Sequence, residues 1–292
     1  MKFVDLDYAV TGTATFGDDH SRAAGTVTFL AGELSQLINI PLLNDTLDED
    51  NETIVLTISN PTGGQVGATT VHTVTLVDDD DPPTVKFQNP TSSFTEDQGA
   101  VGYNVVLSAP STKTVTGAYA ITGTSIGPPD SPKDHDIEGG TLSFAAGVTE
   151  LTISGTITDD PYFEDTETLI LTLSAPAFAD LGAVIIHNSS IVDNDPAPTV
   201  SFSTASSTEG ENADQVTMTI DLDVVSGKDL DIVYVLAGTS TTGSDHNLAD
   251  GTITIPAGSS SKNIGLQITD DLQDEPDETL IVTMISADGA II

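Results

Sequence analysis

Cysteine and tryptophan are both absent from this chain of 292 residues, and basic side chains are scarce: seven Lys and Arg stand against 45 Asp and Glu, for a formal net charge of −38. Without cysteine there is no disulfide framework, no thiol redox chemistry and no thiolate metal site. A surface with so few cations repels nucleic acid and anionic membranes, so neither is expected as a partner. No apolar run approaches the roughly 18–20 residues that a spanning helix requires, so direct membrane insertion is not expected. The lack of tryptophan, with aromatics at 5%, also removes the usual stacking platform for sugars.

What is present reads as strands and turns. Gly and Pro are frequent, hydrophobic residues reach 38%, and Thr, Val and Ile recur throughout. That is a composition of many short strands joined by tight connections. Internal repetition organises them. Gly25-Thr26-Val27-Thr28-Phe29-Leu30-Ala31-Gly32 returns as Gly140-Thr141-Leu142-Ser143-Phe144-Ala145-Ala146-Gly147, and again as Gly251-Thr252-Ile253-Thr254-Ile255-Pro256-Ala257-Gly258. Acidic positions follow the same spacing: Asp45, Asp160 and Asp271; Glu49, Glu164 and Glu275; Glu52, Glu167 and Glu278. Tyr8, Tyr119 and Tyr234 align, as do Asp19-His20, Asp134-His135 and Asp245-His246.

Proline-bearing linkers, Asp79-Asp80-Asp81-Pro82-Pro83 and Asp193-Asn194-Asp195-Pro196, place boundaries near 82 and 196. Three repeats result: 1–81, lacking its opening strands; 82–195, complete; and 196–292, lacking its closing strand. The incomplete ends read either as an excerpt of a longer repeat protein or as halves that complement each other between neighbouring molecules by strand donation. The complete repeat is expected to hold strands at about 84–88, 101–107, 114–121, 139–144, 149–157, 167–174 and 184–192. The fold class is therefore all-β: tandem immunoglobulin-like antiparallel β-sandwiches in a linear array.

Two packed sheets put their loops at the poles, and strand direction brings four acidic segments of the middle repeat to one pole. At about 5 Å and an effective dielectric of about 20, each like-charge pair costs on the order of 3 kcal/mol. Either those acids stay apart in water or a cation sits among them. Calcium suits such a site, because it takes about 6–8 oxygens from carboxylates, backbone carbonyls and water. Magnesium favours fewer carboxylates and strict octahedral geometry. No EF-hand loop is present.

The Gly-Thr-x-x-Phe-x-Ala-Gly hairpin, the Asp-Asp-x-x-x-Glu-x-x-Glu-Thr segment and the Asp-x-Asp-Pro exit resemble tandem Calx-beta domains, a module of sodium–calcium exchanger regulatory loops, integrin β4 and many bacterial surface proteins. The resemblance spans essentially the whole chain. It implies a sandwich with Ca2+ at the pole near the C-terminal exit. Carried over, the middle site would use Glu96, Asp134, Asp159, Asp160, Glu164, Glu167, Asp193 and Asp195, with Tyr162 offering a backbone carbonyl. The third repeat offers Glu209, Asp245, Asp270, Asp271, Glu275 and Glu278 but lacks exit acids. The first offers Asp19, Asp45, Glu49, Glu52, Asp79 and Asp81, but lacks the opening Glu, and Asn44 replaces the first Asp of its pair.

The expected role is structural: calcium stiffens the junctions of an extracellular or cell-surface adhesin or filament, of the bacterial kind. Its partners would be neighbouring repeats of the same or adjacent chains and a cell-surface or matrix target. A calcium-sensing module of a larger membrane protein and a subunit polymerising by strand exchange are the alternatives. An enzyme is not expected. His20, His135 and His246 share one repeat position and His72 and His187 another, whereas a catalytic histidine belongs to one cleft. No nucleophile elbow, P-loop or dinucleotide fingerprint occurs.

Overall fold

The structure is a computed structural model describing residues 3–127, 133–213, 215–272 and 274–292. Its strands fall into three groups along the chain. The first group is β1 (Val4–Gly12), β2 (Gly25–Phe29), β3 (Glu52–Thr62) and β4 (Val71–Leu76), forming one antiparallel sheet in the order β2-β1-β3-β4. Within it only Tyr8 and Ile54 are buried apolar side chains, and Leu34 and Leu37 are exposed.

The middle group is a full sandwich. It comprises β5 (Thr84–Phe87), β6 (Thr91–Thr95), a single 3-10 turn (Glu96–Gln98), β7 (Ala100–Leu107), β8 (Val115–Gly123), β9 (Gly140–Phe144), β10 (Glu150–Thr156), β11 (Glu167–Ala177), β12 (Asp180–Leu181) and β13 (Ile186–Val192). One sheet runs β10-β7-β5-β12, the other β6-β13-β11-β8-β9. Alternation along β11 sends Leu169, Leu171 and Leu173 into the core, where they meet Phe87, Tyr103, Val105 and Phe144 from both sheets.

The seven strands expected there are present, with two additions. The opening segment divides at Pro90: β5 pairs with β7 in one sheet, and β6 crosses to pair in parallel with β13 in the other. Proline has no amide hydrogen to continue a ladder, and its carbonyl instead accepts the amide of Asn188 at 2.9 Å. The short β12 also pairs in parallel, with β5. Apart from these two edges the middle repeat is antiparallel. The crossover matters for function, because β6 delivers Glu96 to the pole where β13 ends.

The third group has β14 (Val200–Phe202), β15 (Val216–Leu222), β16 (Leu230–Gly238), β17 (Gly251–Ile255), β18 (Ser261–Leu266) and β19 (Leu280–Ala287), in sheets β14-β15-β18 and β17-β16-β19 around a core of Ile220, Leu230, Ile232, Ile255 and Ile264.

One device recurs at the acidic pole of all three groups. Gly12, Gly123 and Gly238 end their strands at φ of 130°, 140° and 123°, and an added Cβ would lie 2.0 Å from the carbonyl oxygen of Thr53, Thr168 and Thr279 respectively. The two residues after each glycine then donate their amides to that one threonine carbonyl, as Thr124 and Ser125 do to Thr168 at 3.0 and 3.1 Å. This pins the loop bearing Asp134 beside Glu167, the residue that opens β11.

Core packing in the middle repeat sets the first expectation. Leu171→Ala removes a side chain with no exposed surface and lowers the stability of that repeat by about 2–5 kcal/mol. Denaturant unfolding will show the middle transition shifting while that of the third repeat, which has its own core, stays in place. A joint shift of both would mean that the repeats unfold as one unit.

Candidate metal centres

At the pole of the middle sandwich the structure gathers the acids in two groups. Oxygens of Glu96, Asp160 and Asp195 lie within 4.8 Å of one another, and so do those of Asp134, Glu164 and Glu167. Each acid is positioned by its element. Glu96 opens the 3-10 turn that ends β6 and is only 4% exposed. Asp134 is held by the amide of Ile126, which donates to its Oδ2, while the Asp134 carbonyl accepts Thr158 N at 2.8 Å. Asp160 Oδ1 accepts the amide of Tyr162 at 2.9 Å. Asp193 uses both oxygens, accepting Glu164 N and Asp195 N at 2.9 Å each. Asp159 is exposed at the rim and Tyr162 is half-buried.

The oxygens left over are the informative ones. Glu96 Oε2, Glu167 Oε2 and Asp195 Oδ2 are sealed from solvent and have no hydrogen-bond partner. A buried carboxylate oxygen without a partner is costly. Burial, followed by the neighbouring Asp193, Glu164, Asp160 and Asp195 charges, pushes Glu96 up to about 8. Burial and the Asp160 and Asp134 charges push Glu164 up to about 7. Burial, then a hydrogen bond to Asp134, pushes Glu167 up to about 8. Two carboxyl groups hydrogen-bond only if they share a proton. The same pair recurs as Glu52 with Asp19, where burial and that bond raise Glu52 to about 7, and as Glu278 with Asp245, where the bond itself is the largest cause of a raised pKa. Each raised Glu holds its proton more tightly than a free carboxyl group does, at a place that a cation could take. The donor set is oxygen only, which suits a hard divalent ion and not zinc or copper.

In the first repeat, Asp19, Glu49 and Glu52 come within the same 4.8 Å, with Asp45 lining the cleft beside them. Asp78 Oδ2 accepts Glu49 N at 3.0 Å, the bond that Asp193 makes to Glu164. The counterpart of Asp193 is therefore Asp78, and the exit acids fall one residue earlier than Asp79 and Asp81, both of which are exposed. In the third repeat, Asp245 is half-buried, whereas Asp270, Asp271, Glu275 and Glu278 are exposed, and no triad is gathered among the described residues. Glu209 is exposed in a segment without regular structure. Glu211, at the position equivalent to Glu96, adds its charge to the larger effects of burial, Asp271 and Asp245 on Glu275 and of Asp245, burial and Glu275 on Glu278. The histidines sit in turns and strands: His20, His135 and His246 are buried beside the repeated Asp, and His187 Nδ1 bonds the carbonyl of Asn89 at 2.7 Å.

A family model described as the Calx-beta domain matches residues 3–80, 78–191 and 193–290. Extracellular matrix protein 3 of Lytechinus variegatus is 29% identical over 271 residues, which cover 86% of this chain and 8% of that protein. Sodium/calcium exchanger 1 of Bos taurus is 26% identical over 189 residues, 58% of this chain and 19% of that protein. The chain thus corresponds to a small part of either relative. Among solved structures, the calcium binding domain CBD12 of CALX1.1 is 21% identical over 70% of this chain and 80% of that one, with a TM-score of 0.35. An overlap of that size adds nothing to the family match.

The raised carboxyl groups fix the sign of a pH effect. Ordinary Glu titrates near 4.5, and the folded middle repeat holds Glu96, Glu164 and Glu167 protons up to about 7–8. Between these values the folded state binds more protons than the unfolded state, so stability falls as pH rises. Burial lowers His135 from 6.5, which acts in the opposite direction only below that value. In chelator, thermal unfolding of the middle repeat should therefore move down in temperature from pH 6.5 to 8, and Glu96→Gln with Glu167→Gln should flatten the decline. A rising or level profile in the unmodified chain would contradict the account.

Proposed function

Because this chain belongs to the Calx-beta domain family over three successive matches, we propose that it is a calcium-binding structural region whose ions neutralise the acidic poles and stiffen the junctions of an extracellular adhesin or surface filament. The observation that carries this reading is the set of three sealed, unpartnered carboxylate oxygens on Glu96, Glu167 and Asp195. They need either protons or a cation, and near neutral pH in a fluid rich in calcium the cation prevails. Glu96, Asp160 and Asp195, with Asp193 beside them, would hold ion at one place; Asp134, Glu164 and Glu167 would hold it at the other. What calcium supplies is charge neutralisation and several oxygen-directed bonds at once. The protein supplies fixed oxygens, each set by a backbone amide or a strand end.

The work is mechanical rather than catalytic. At free calcium about 100 times the dissociation constant, one site adds roughly 2.7 kcal/mol to stability. Sites of about 10⁻⁴–10⁻³ M suffice in extracellular fluids. The likeness to Extracellular matrix protein 3 supports an extracellular setting. The likeness to sodium/calcium exchangers supports a second reading, in which the repeats sense calcium for a larger membrane protein. Affinity separates the two, because a sensor requires about micromolar sites or tighter. The partners of a rod are neighbouring repeats and a surface or matrix target.

A calcium titration followed by thermal unfolding, with magnesium as control, tests this. We expect a large rise with calcium, little with equal magnesium, and a midpoint well above the micromolar range. Glu96→Gln with Glu167→Gln should abolish most of the rise for the middle repeat, while Glu275→Gln should change little. Equal responses to both ions, or none, would overturn the calcium reading. A midpoint at or below micromolar would favour the sensor.

A further inference from the structure

Two of the seven basic residues, Lys113 and Lys228, stand at equivalent places, in the β7–β8 and β15–β16 loops, each facing the acidic loop of the preceding repeat. At the first junction Lys113 Nζ lies 2.8 Å from Asp48 Oδ1 and 3.9 Å from Asp50. Asp48 is 4% exposed. It is also gripped by Ser111, whose Oγ donates to Asp48 Oδ2 at 2.9 Å, and by the amide of Thr112, which donates to the Asp48 carbonyl at 3.2 Å.

The second junction repeats the frame with a different receptor. Phe163 replaces Asp48. Its carbonyl accepts the amide of Gly227 at 3.0 Å and the Oγ of Ser226 at 3.2 Å. Lys228 pairs with Asp165 and lies 4.7 Å from the centroid of the Phe163 ring. In both loops the Lys amide donates to the Ser Oγ at 3.1 Å, so the Ser-x-Lys turn is preformed. Ser111 and Ser226 are 2% and 1% exposed. The turn fits closely: a Cβ on Gly227 would lie 2.2 Å from Glu164 Oε1, and one on Gly289 would meet both Lys228 and the Phe163 ring within 3.3 Å. In the third repeat, where no repeat docks in this chain, the equivalent residues Asp274, Glu275, Pro276, Asp277 and Glu278 are all exposed.

We infer that the Ser-x-Lys turns at 111–113 and 226–228 are latches that dock each repeat onto the loop before it without any metal ion. The contacts that join the repeats are ion pairs and hydrogen bonds between protein groups: Lys113 and Ser111 on Asp48, and Lys228 and Ser226 on Asp165 and the Phe163 carbonyl. None of the latch residues belongs to a gathered carboxylate triad. The lysine adds a positive charge where the chain otherwise crowds negative ones. At the first junction both Lys113 and Asp48 are largely buried, which makes that pair stronger than an exposed one; at the second Asp165 is exposed, and the Phe163 ring and carbonyl supply the rest of the dock. The backbone hydrogen bonds and the buried serine give the dock direction, which charge alone would not. The latch thus goes beyond calcium stiffening: ions reinforce a junction that already has a defined angle.

The absence of cysteine makes the test clean, because introduced thiols are the only ones. Spin labels on the exposed pair Thr26→Cys and Thr141→Cys report the first junction, and Thr141→Cys with Thr252→Cys the second. Pulsed dipolar distances are measured on the full chain in EDTA. We expect one narrow distance at each junction. Lys113→Glu should abolish the narrow distance at the first junction only, Lys228→Glu at the second only, and Lys→Arg at either site should keep it. Lys113→Gln and Lys228→Gln serve should a charge reversal prevent folding, with circular dichroism confirming native strand content. A broad distribution in EDTA that calcium narrows would overturn the latch and leave the calcium reading standing. Narrow distances unmoved by the Glu or Gln variants would also overturn it. Narrow, lysine-dependent distances in a chain that calcium fails to stabilise would uphold the latch and remove the calcium reading.

Discussion

Repulsion among carboxylates at one end of each sandwich is the constraint around which this structure is arranged. The middle repeat brings Glu96, Asp134, Asp160, Glu164, Glu167, Asp193 and Asp195 to one pole, and two groups of three approach within 4.8 Å. Strand geometry leaves no alternative: β6 and β13 run parallel to the same end, β11 starts there, and the loop after β10 closes over it. The fold can hold this arrangement only if something positive joins it. Protons can do so at Glu96, Glu164 and Glu167, whose affinities for them are raised into the neutral range, and lysines do so at the junctions. A divalent cation can replace the protons but not the lysines, because the two kinds of positive charge occupy different places.

Backbone devices keep the acids near each other before any ion arrives. The positive-φ glycine at 12, 123 and 238 allows a threonine carbonyl to accept two successive amides. The repeated Asp at 19, 134 and 245 accepts the amide four or eight residues before it. The loop between those amides and the Asp thus changes length between repeats while the carboxyl stays fixed. Local strain and local hydrogen bonds determine where the charges sit, and burial then determines what the charges do.

Much of this could be read from the residues alone, and the failures have physical causes. Hairpin glycines, the Glu-Thr starts of β3 and β11 and the proline linkers mark the repeat, because turn and strand chemistry constrain those positions. The run Asp78-Asp79-Asp80-Asp81 hid the register of the first exit: any of the four looks alike in sequence, and only the Glu49 amide selects Asp78. Glu209 and Glu211 flank one glycine and both are exposed; the Thr-Glu pair at 208–209 imitates Thr95-Glu96, whereas the strand register sets Glu211 at the place of Glu96. Spacing held the answer, since Glu211 lies as far from Glu96 as Lys228 lies from Lys113. The lysine pair escaped notice because a lone lysine in a loop carries no periodic signal. Its recurrence within a nearly cation-free chain was the available clue. The division of the opening strand at Pro90 needed the partner strand to be known.

The central claim is that cations displace shared protons from buried carboxyl pairs. Titration calorimetry of calcium binding near pH 7, in buffers of differing ionisation enthalpy, measures that displacement directly. The account predicts a net release of protons with each bound calcium, reduced when Glu96 and Glu167 are replaced by Gln. Calcium binding with no proton release would contradict it, because the carboxyl groups would then already be charged and the poles would tolerate their own repulsion.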